Sequence, residues 1–442
     1  MNLLRRVEQV LSKSGVFLWG MPLLLLAAFF FVPMAQVLWV MFSREGVISP
    51  SLLWQPLWFT IFQAFLSSLL TLLFGMPAAY VFSRFDFRTK RLMRTLTMLP
   101  FILPTVVVAA AFNALLGPRG WVNLVLQAVS GAEAPPLTFL GTFTAILVAH
   151  VFYNIAIIIR VVGSAWSQLD TRLEQSAQVL GASPWRVFTG VTLPLLKRPI
   201  LSALLLVFLF DFTSFGVVLM LGGPGLATLE VSIYTQALGM LNLPMAGLLS
   251  VIQLACTLSV MLLYGRVSRN QEVPLFPRLR GEGTHRPRTT TEKLVVWLMV
   301  SFLFVLQVLP LGALAARSVT RLEADRGQRG EVQTGLTLDF YRELFINRQQ
   351  SIFYVPPITA VENSLKYAGI TMLVSVSSGT LLAYALVKRP HTRRWLDTLV
   401  MLPFGASAVT LGLGFIIAFN RIPQGGSNFP WLIPIAHSLI AM

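Results

Sequence analysis

Cysteine is nearly missing from these 442 residues: only Cys256 occurs, inside an apolar run, so no disulfide within the chain can form and nothing follows about redox compartment. Charge is scarce, at 12% of the chain, and acids most of all, with 18 Asp and Glu against 34 Lys and Arg. Histidine is down to four. These shortages leave no paired carboxylates, no nucleophile beside a base and no ligand cluster at metal-binding spacing, which argues against an enzyme and calls for no cofactor. Gly222-Gly223-Pro224-Gly225 lacks the Lys and Ser or Thr that a phosphate loop needs, so the chain offers no nucleotide site of its own.

What fills the chain instead is apolar sequence, 55% of all residues, in recurrent runs of about 20 or more nearly uncharged positions. These predict an all-α, polytopic transmembrane bundle, because lipid cannot satisfy exposed backbone polar groups. A net charge of +16 would suit nucleic acid, but the basic residues gather in short segments between apolar runs. The positive-inside rule accounts for that pattern, so membrane lipid is the expected partner and nucleic acid is not. Arg5, Arg6 and Lys13 precede a run from about 16 to 42 that is too long for a signal-peptide core, which predicts an uncleaved first helix in a multi-pass plasma (inner) membrane protein.

Further spans are predicted at roughly 57 to 83, 93 to 116, 137 to 164, 199 to 222 and 244 to 265. Arg84, Arg88, Lys90, Arg91 and Arg94 crowd one connection, whereas 117 to 136 carries only Arg119, which places the first of these in the cytoplasm. Alternation then puts 166 to 198 and 266 to 293 on the cytoplasmic side. The latter, rich in Arg, Pro and Gly, reads as a linker between a first half, 1 to 265, and a second, 294 to 442. Spans follow at about 294 to 316, 359 to 387 and 395 to 419, then an apolar run from Phe429, with 317 to 357 exterior and a short amphipathic helix expected at 338 to 345.

The second half repeats the first in order: Gly75 and Tyr80 match Gly379 and Tyr384, the basic cluster matches Lys388, Arg389, Arg393 and Arg394, Met98-Leu99-Pro100 matches Met401-Leu402-Pro403, and Ala149-His150 matches Ala436-His437. Six spans separate equivalents, so both copies face the same way, a parallel repeat. On that register the second half is truncated, and a longer product or a degenerate half is expected.

The most informative segment is a polar island after the fourth span. Asp170 and Thr171 supply N-cap chemistry, Arg172 to Leu180 reads as a polar amphipathic helix, and Gly181 is placed to end it. Ser183 before Pro184 starts a second short helix. Ser176, Ala177, Gly181 and Ala182 would form a small-residue face for a partner, with Trp185 and Phe188 packing the projection onto the bundle. The bland alternative is an ordinary amphipathic loop.

This segment resembles the EAA loop of ABC-importer permeases, whose pattern runs Glu-Ala-Ala, three residues, Gly, nine residues, then a hydrophobic residue, any residue, Leu-Pro. Gly181, Val191, Leu193 and Pro194 match it, and Gln175, Ser176 and Ala177 stand at the Glu-Ala-Ala positions, with Glu174 one residue earlier. Tyr153-Asn154 leading to Arg160, Ser214-Phe215-Gly216 leading to Leu221-Gly222-Gly223, and 227 to 234 are similar to the iron(III) and thiamine branch. The resemblance implies a fused, tandem permease subunit that translocates a small solute, iron(III) first and thiamine next. It further implies two ATPase subunits docked on the loop at Glu174, Gln175, Ser176, Ala177, Gly181, Ala182, Leu193 and Pro194, and an extracytoplasmic binding protein that delivers the solute.

Asp211, mid-span in Leu209-Phe210-Asp211-Phe212, either lines a pathway or hydrogen-bonds a neighbouring helix. His150 and His437 read as structural, since neither has an acidic or histidine neighbour at ligand spacing, and Arg160 reads as snorkelling. The rival class is a secondary transporter of the six-plus-six parallel type, which needs embedded acids or bases to couple an ion; in the first six spans Asp211 is the clear candidate. Topology is directly testable. An impermeant thiol reagent added from outside is expected to label a cysteine introduced near Gln333 and to spare one near Gln178, and the reverse pattern would invert the orientation.

Overall fold

The computed structural model describes residues 15–43, 48–269, 284–321, 335–346, 354–388, 399, 402–403, 406–419 and 431–441. In chain order its helices are α1 (Gly15–Leu26), α2 (Val32–Ser43), α3 (Pro50–Arg84), α4 (Lys90–Leu96), α5 (Leu99–Ile102), α6 (Thr105–Leu116), α7 (Trp121–Ser130) and α8 (Phe143–Gln168). Then come α9 (Thr171–Val179), α10 (Pro184–Val187), α11 (Leu193–Phe212), α12 (Gly216–Leu221), α13 (Leu229–Tyr234), α14 (Leu243–Arg269), α15 (Thr290–Gln307) and α16 (Leu309–Ser318). A small antiparallel pair, β1 (Thr320–Arg321) with β2 (Gly335–Leu336), precedes α17 (Asp339–Glu343), α18 (Pro357–Lys388), α19 (Ala408–Phe419) and α20 (Leu432–Ala441).

Among the described residues, eight helical stretches are long and apolar enough to cross a membrane, and α19 and α20 are shorter apolar helices. The expected linker falls largely on 270–283, and Arg389, Arg393, Arg394, Met401 and Gln333 likewise lie outside the described residues. The expected amphipathic helix at 338 to 345 is present in shorter form as α17.

Proline explains two departures from the expected span boundaries. The span expected at 93 to 116 is broken: α4 and α5 are short, and Pro104, extended at φ −57° and ψ 141°, precedes α6. The span expected from 199 begins earlier, since α10 continues through a π-helical turn (Phe188–Thr192) into α11, one apolar stretch from Pro184 to Phe212. Pro194 has no N–H to give to the carbonyl four residues back. The widened turn just before it, closed by the Leu193 N–H on the Phe188 carbonyl, carries the ladder to that point without a break. A second π-helical turn, Ala27–Phe31, lies just before Pro33 in the same relation, with the Val32 N–H bonded to the Ala27 carbonyl.

Contacts divide the chain into two compact units: Trp54–Val231 with Ser259–Leu338, and Met1–Leu53 with Ser232–Leu258 and Asp339–Met442. In the first, α8 is the central helix, with 72% of its apolar stretch buried. One side packs Ile157, Ile158, Val162 and Trp166 against Ala79 of α3 and Leu196, Ala203 and Val207 of α11. A second packs Ala145, Ala149 and Phe152 against Phe112 of α6 and Val217 and Leu221 of α12. A third packs Val151, Ile155 and Ile159 against Phe82 of α3, Met93 of α4 and Leu303 of α15. In the second unit α2 packs on α19, and α18 on α1 and α20.

Glycine sets how closely α3 and α8 approach. A Cβ at Gly75 would lie 2.7 Å from Ile158 Cβ, and one at Gly163 would sit 3.5 to 3.7 Å from Ala79 atoms. Small residues at such crossings allow dense van der Waals packing where lipid supplies no hydrophobic drive. Gly75→Ala is therefore expected to push α3 off α8 and to cost about 1–3 kcal/mol, read as a lower melting temperature in detergent, with Gly20→Ala, where a Cβ meets nothing within 4 Å, as the silent control.

Candidate functional site

The polar island folds as an elbow whose ends obey the cap chemistry of its sequence. Asp170 accepts the Arg172 N–H at 3.0 Å and starts α9. At the other end Gly181 takes φ +86°, its N–H bonds the Gln178 carbonyl at 2.9 Å, and the Ala182 N–H reaches the Ala177 carbonyl at 3.0 Å. That pair of bonds is a Schellman closure, which needs a residue free to adopt the left-handed region. Ser183 then accepts the Arg186 N–H at 3.4 Å, with Pro184 in the first turn, and opens α10.

One face of the elbow is turned to the bundle and the other to solvent. Glu174, Ala177 and Ala182 are half-buried, whereas Gln175, Ser176, Gly181, Leu193 and Pro194 are exposed. The small-residue face expected from the sequence is thus split: Ser176 and Gly181 are presented outward, and Ala177 and Ala182 look partly inward. A Cβ at Gly181 would meet nothing within 4 Å, so the space above it is open. Large apolar side chains project beside it, Val179 86% exposed, Leu180 88% and Trp185 72%. Phe188 stacks on Trp166 of α8, 6.0 Å between centroids, as the expected packing requires. Trp185 touches Phe188 but is 72% exposed, contrary to its expected packing role.

Glu174 is held from two directions. Its Oε2 receives Arg84 Nη2 from the end of α3, and its Oε1 accepts the Thr192 hydroxyl at 2.7 Å from the π-helical turn. The pair is largely shielded, with side chains 11% and 20% exposed. Sequence reasoning missed both partners, since Arg84 counted only among the topology-setting cations and Thr192 carried no signal. Near them Lys90 Nζ donates to the Phe85 carbonyl at 2.6 Å. Partial burial, then the like charge of Arg94, lower the Lys90 pKa from the ordinary lysine value, and Asp86 opposes the shift.

Asp211 lies in the interior of its unit, fully buried. Its Oδ1 accepts Asn154 Nδ2 of α8 at 2.7 Å and lies 3.5 Å from His150 Nδ1. His150 also meets the Ser67 hydroxyl at 3.0 Å and the Ser214 hydroxyl at 2.9 Å, one on each ring nitrogen. Gln63 of α3 donates to the Asp211 backbone carbonyl at 2.8 Å. The second carboxyl oxygen meets no hydrogen-bonding group among the described residues. His150 therefore has the acidic neighbour that spacing along the chain denied it, because α8 and α11 are adjacent in space. Arg160 is exposed. Among the described residues no three of His, Cys, Asp and Glu gather as a metal site.

Asp211→Ala should leave the Asn154 amide buried without its acceptor and cost about 1–3 kcal/mol, whereas Asp211→Asn keeps an acceptor there and should melt closer to wild type. Equal melting of all three in detergent would remove the bracing role of this bond.

Apolar spans joined by a capped polar elbow are an arrangement suited to a transport permease. Residues 71–273 match the family described as the inner membrane component of binding-protein-dependent transport systems, which supports a permease of the ABC-importer class. It is 27% identical over 392 residues to the thiamine transport system permease protein ThiP of Brucella abortus strain 2308, covering 88% of this chain and 67% of that one. To the protein of the same name in Escherichia coli K12 it is 34% identical over 228 residues, 51% of this chain and 41% of that one. The putative 2-aminoethylphosphonate permease PhnU of Salmonella typhimurium is 26% identical over 275 residues, 60% of this chain and 96% of that protein. The chain thus spans about two thirds of the Brucella relative and about two fifths of the Escherichia coli one. Among solved structures, a chain of a bacterial ABC transporter involved in alginate import aligns over 62% of this chain and all of its own, with TM-score 0.50 and 18% identity, a likeness of fold.

Proposed function

We propose that this permease carries thiamine or a closely related small solute across the inner membrane, driven by ATP that partner subunits hydrolyse. The observation that carries the ATP-driven reading is the Schellman-closed elbow at Gly181, where an open space and the exposed side chains of Val179, Leu180 and Trp185 form a surface suited to a protein partner. Isolated apolar side chains on a surface need no explanation, but three at the tip of a capped polar projection are concentrated as in an interface core. Two ATPase copies and an extracytoplasmic binding protein complete the proposed assembly. Relatives named for thiamine transport in several organisms support that solute ahead of iron(III), which the sequence resemblance put first.

In the proposed cycle, closure of the ATPase dimer moves the elbow, and the bundle exchanges inward-facing for outward-facing states; the permease supplies two conformations whose balance its partners shift. Residues 1 to 265 and 294 to 442 would act as the two halves, joined by the basic linker. Reconstitution with the cognate ATPase and binding protein is the test. Labelled thiamine should enter vesicles only with ATP and both partners, while iron(III) should not; uptake driven by an ion gradient without the ATPase would restore the secondary-transporter reading. Gly181→Leu forces a branched side chain into the left-handed region at a cost of about 1–2 kcal/mol and fills the open space above the elbow. It should leave the permease inserted but remove the ATPase from the purified complex and abolish stimulated hydrolysis.

A further inference from the structure

We propose that Arg84 is the positioning residue that transmits motion of the elbow into the membrane helices, and that the Glu174 carboxylate is an internal joint and not a docking charge. The inference rests on the docking role proposed for the elbow and adds how its motion reaches the bundle.

A cation that only sets topology has no reason to leave water, and Arg88, Arg91 and Arg94 of the same cluster are exposed accordingly. Arg84 is instead buried, and a buried cation needs an anionic partner with its remaining lone pairs satisfied. Glu174 meets that need: one oxygen takes Arg84 at the end of α3, the other takes Thr192 in the turn that leads into α11. A single carboxylate on α9 therefore ties the elbow to two membrane helices at once. The backbone of the same residue makes a further connection. The Arg84 carbonyl accepts the His285 N–H at 3.1 Å, the Asp86 N–H donates to the His285 carbonyl at 2.9 Å, and the Phe85 ring packs edge-on against the His285 ring at 5.1 Å. His285 lies just before α15, whose capping box at Thr289 and Glu292 holds its start. So α3, α9, α11 and the approach to α15 meet at residues 84 to 86. A pull on α9 reaches the bundle through this joint, because Glu174 is the residue of α9 that bonds side chain to side chain with both α3 and the turn before α11.

The joint is testable by charge exchange in the complete permease assembled with its ATPase and binding protein. Arg84→Glu and Glu174→Arg should each retain the ATPase in the purified complex, since the exposed tip is untouched, yet lower solute transported per ATP by about tenfold. The double variant Arg84→Glu with Glu174→Arg should recover most of that ratio, whereas a bridge serving stability alone would leave transport per ATP unchanged in the folded single variants. Thr192→Val removes one bond and no charge, and should lower the same ratio a few-fold even where a reversal prevents insertion. Wild-type coupling in Glu174→Ala or in Thr192→Val would overturn the inference and leave docking intact. So would loss of the ATPase from the single reversals, since Glu174 would then act in docking. Retention of both the ATPase and stimulated hydrolysis by Gly181→Leu would instead overturn the docking reading beneath it.

Discussion

Hydrocarbon offers no hydrogen bonds, and nearly every feature of this chain follows from that constraint. Each backbone group within a span must be satisfied locally, so the spans are helices, and each proline inside them creates a carbonyl that the helix itself has to accommodate. At Pro33 and Pro194 the accommodation is a π-helical turn immediately upstream, in which an N–H reaches five residues back. The second of these turns also bears Thr192, whose hydroxyl reaches Glu174. A backbone repair imposed by one proline thus sits where a polar helix outside the spans is fastened to a spanning helix.

The same constraint governs side chains. A polar residue in the interior persists only where others on neighbouring helices meet it. Gln63 and Ser67 of α3, His150 and Asn154 of α8, and Asp211 of α11 form such a set, with Ser214 just beyond α11. Three helices that apolar packing alone would allow to slide past one another are indexed by these bonds, much as one buried polar pair fixes register in a coiled coil. Nearer the helix ends, Thr60 accepts the Leu229 N–H at 2.8 Å and fixes the start of α13 against α3.

Legibility in the sequence followed the range of the interaction. Apolar runs marked the spans, and the elbow was readable almost atom by atom because its determinants lie within four residues of their effects: Asp170 with Arg172, Gly181 with Gln178, Ser183 with Arg186. The span start expected at 199 was too late, since a widened turn lets the helix run on through Pro194. Interactions across the fold left no local trace. Arg84 and Glu174 are 90 positions apart, and Asn154 and Asp211 are 57 apart. Each looked generic alone, Arg84 as one cation in a cluster and His150 as a lone imidazole, because only the fold brings α9 to the end of α3 and sets α3 and α11 against α8.

That packing also bears on why Glu174, and not the residue at 175, is the acid of the elbow. On α9 the positions facing the bundle recur at 171, 174 and 177, all half-buried, and Gln175 points outward. An acid at 174 therefore meets Arg84 behind the elbow, whereas an acid at 175 would face a partner in front of it. With Gln at 175 the outward surface of α9 presents amide, hydroxyl and apolar groups around Val179 and Leu180. Affinity for a partner would then rest on apolar contact and close backbone approach at Gly181, while the one acid of α9 is bonded to Arg84 and Thr192 of its own fold. On the proposed docking, such a division would separate grip from transmission: the front face could be pulled without breaking the ionic joint behind it, because the two use different side chains on opposite faces of one helix.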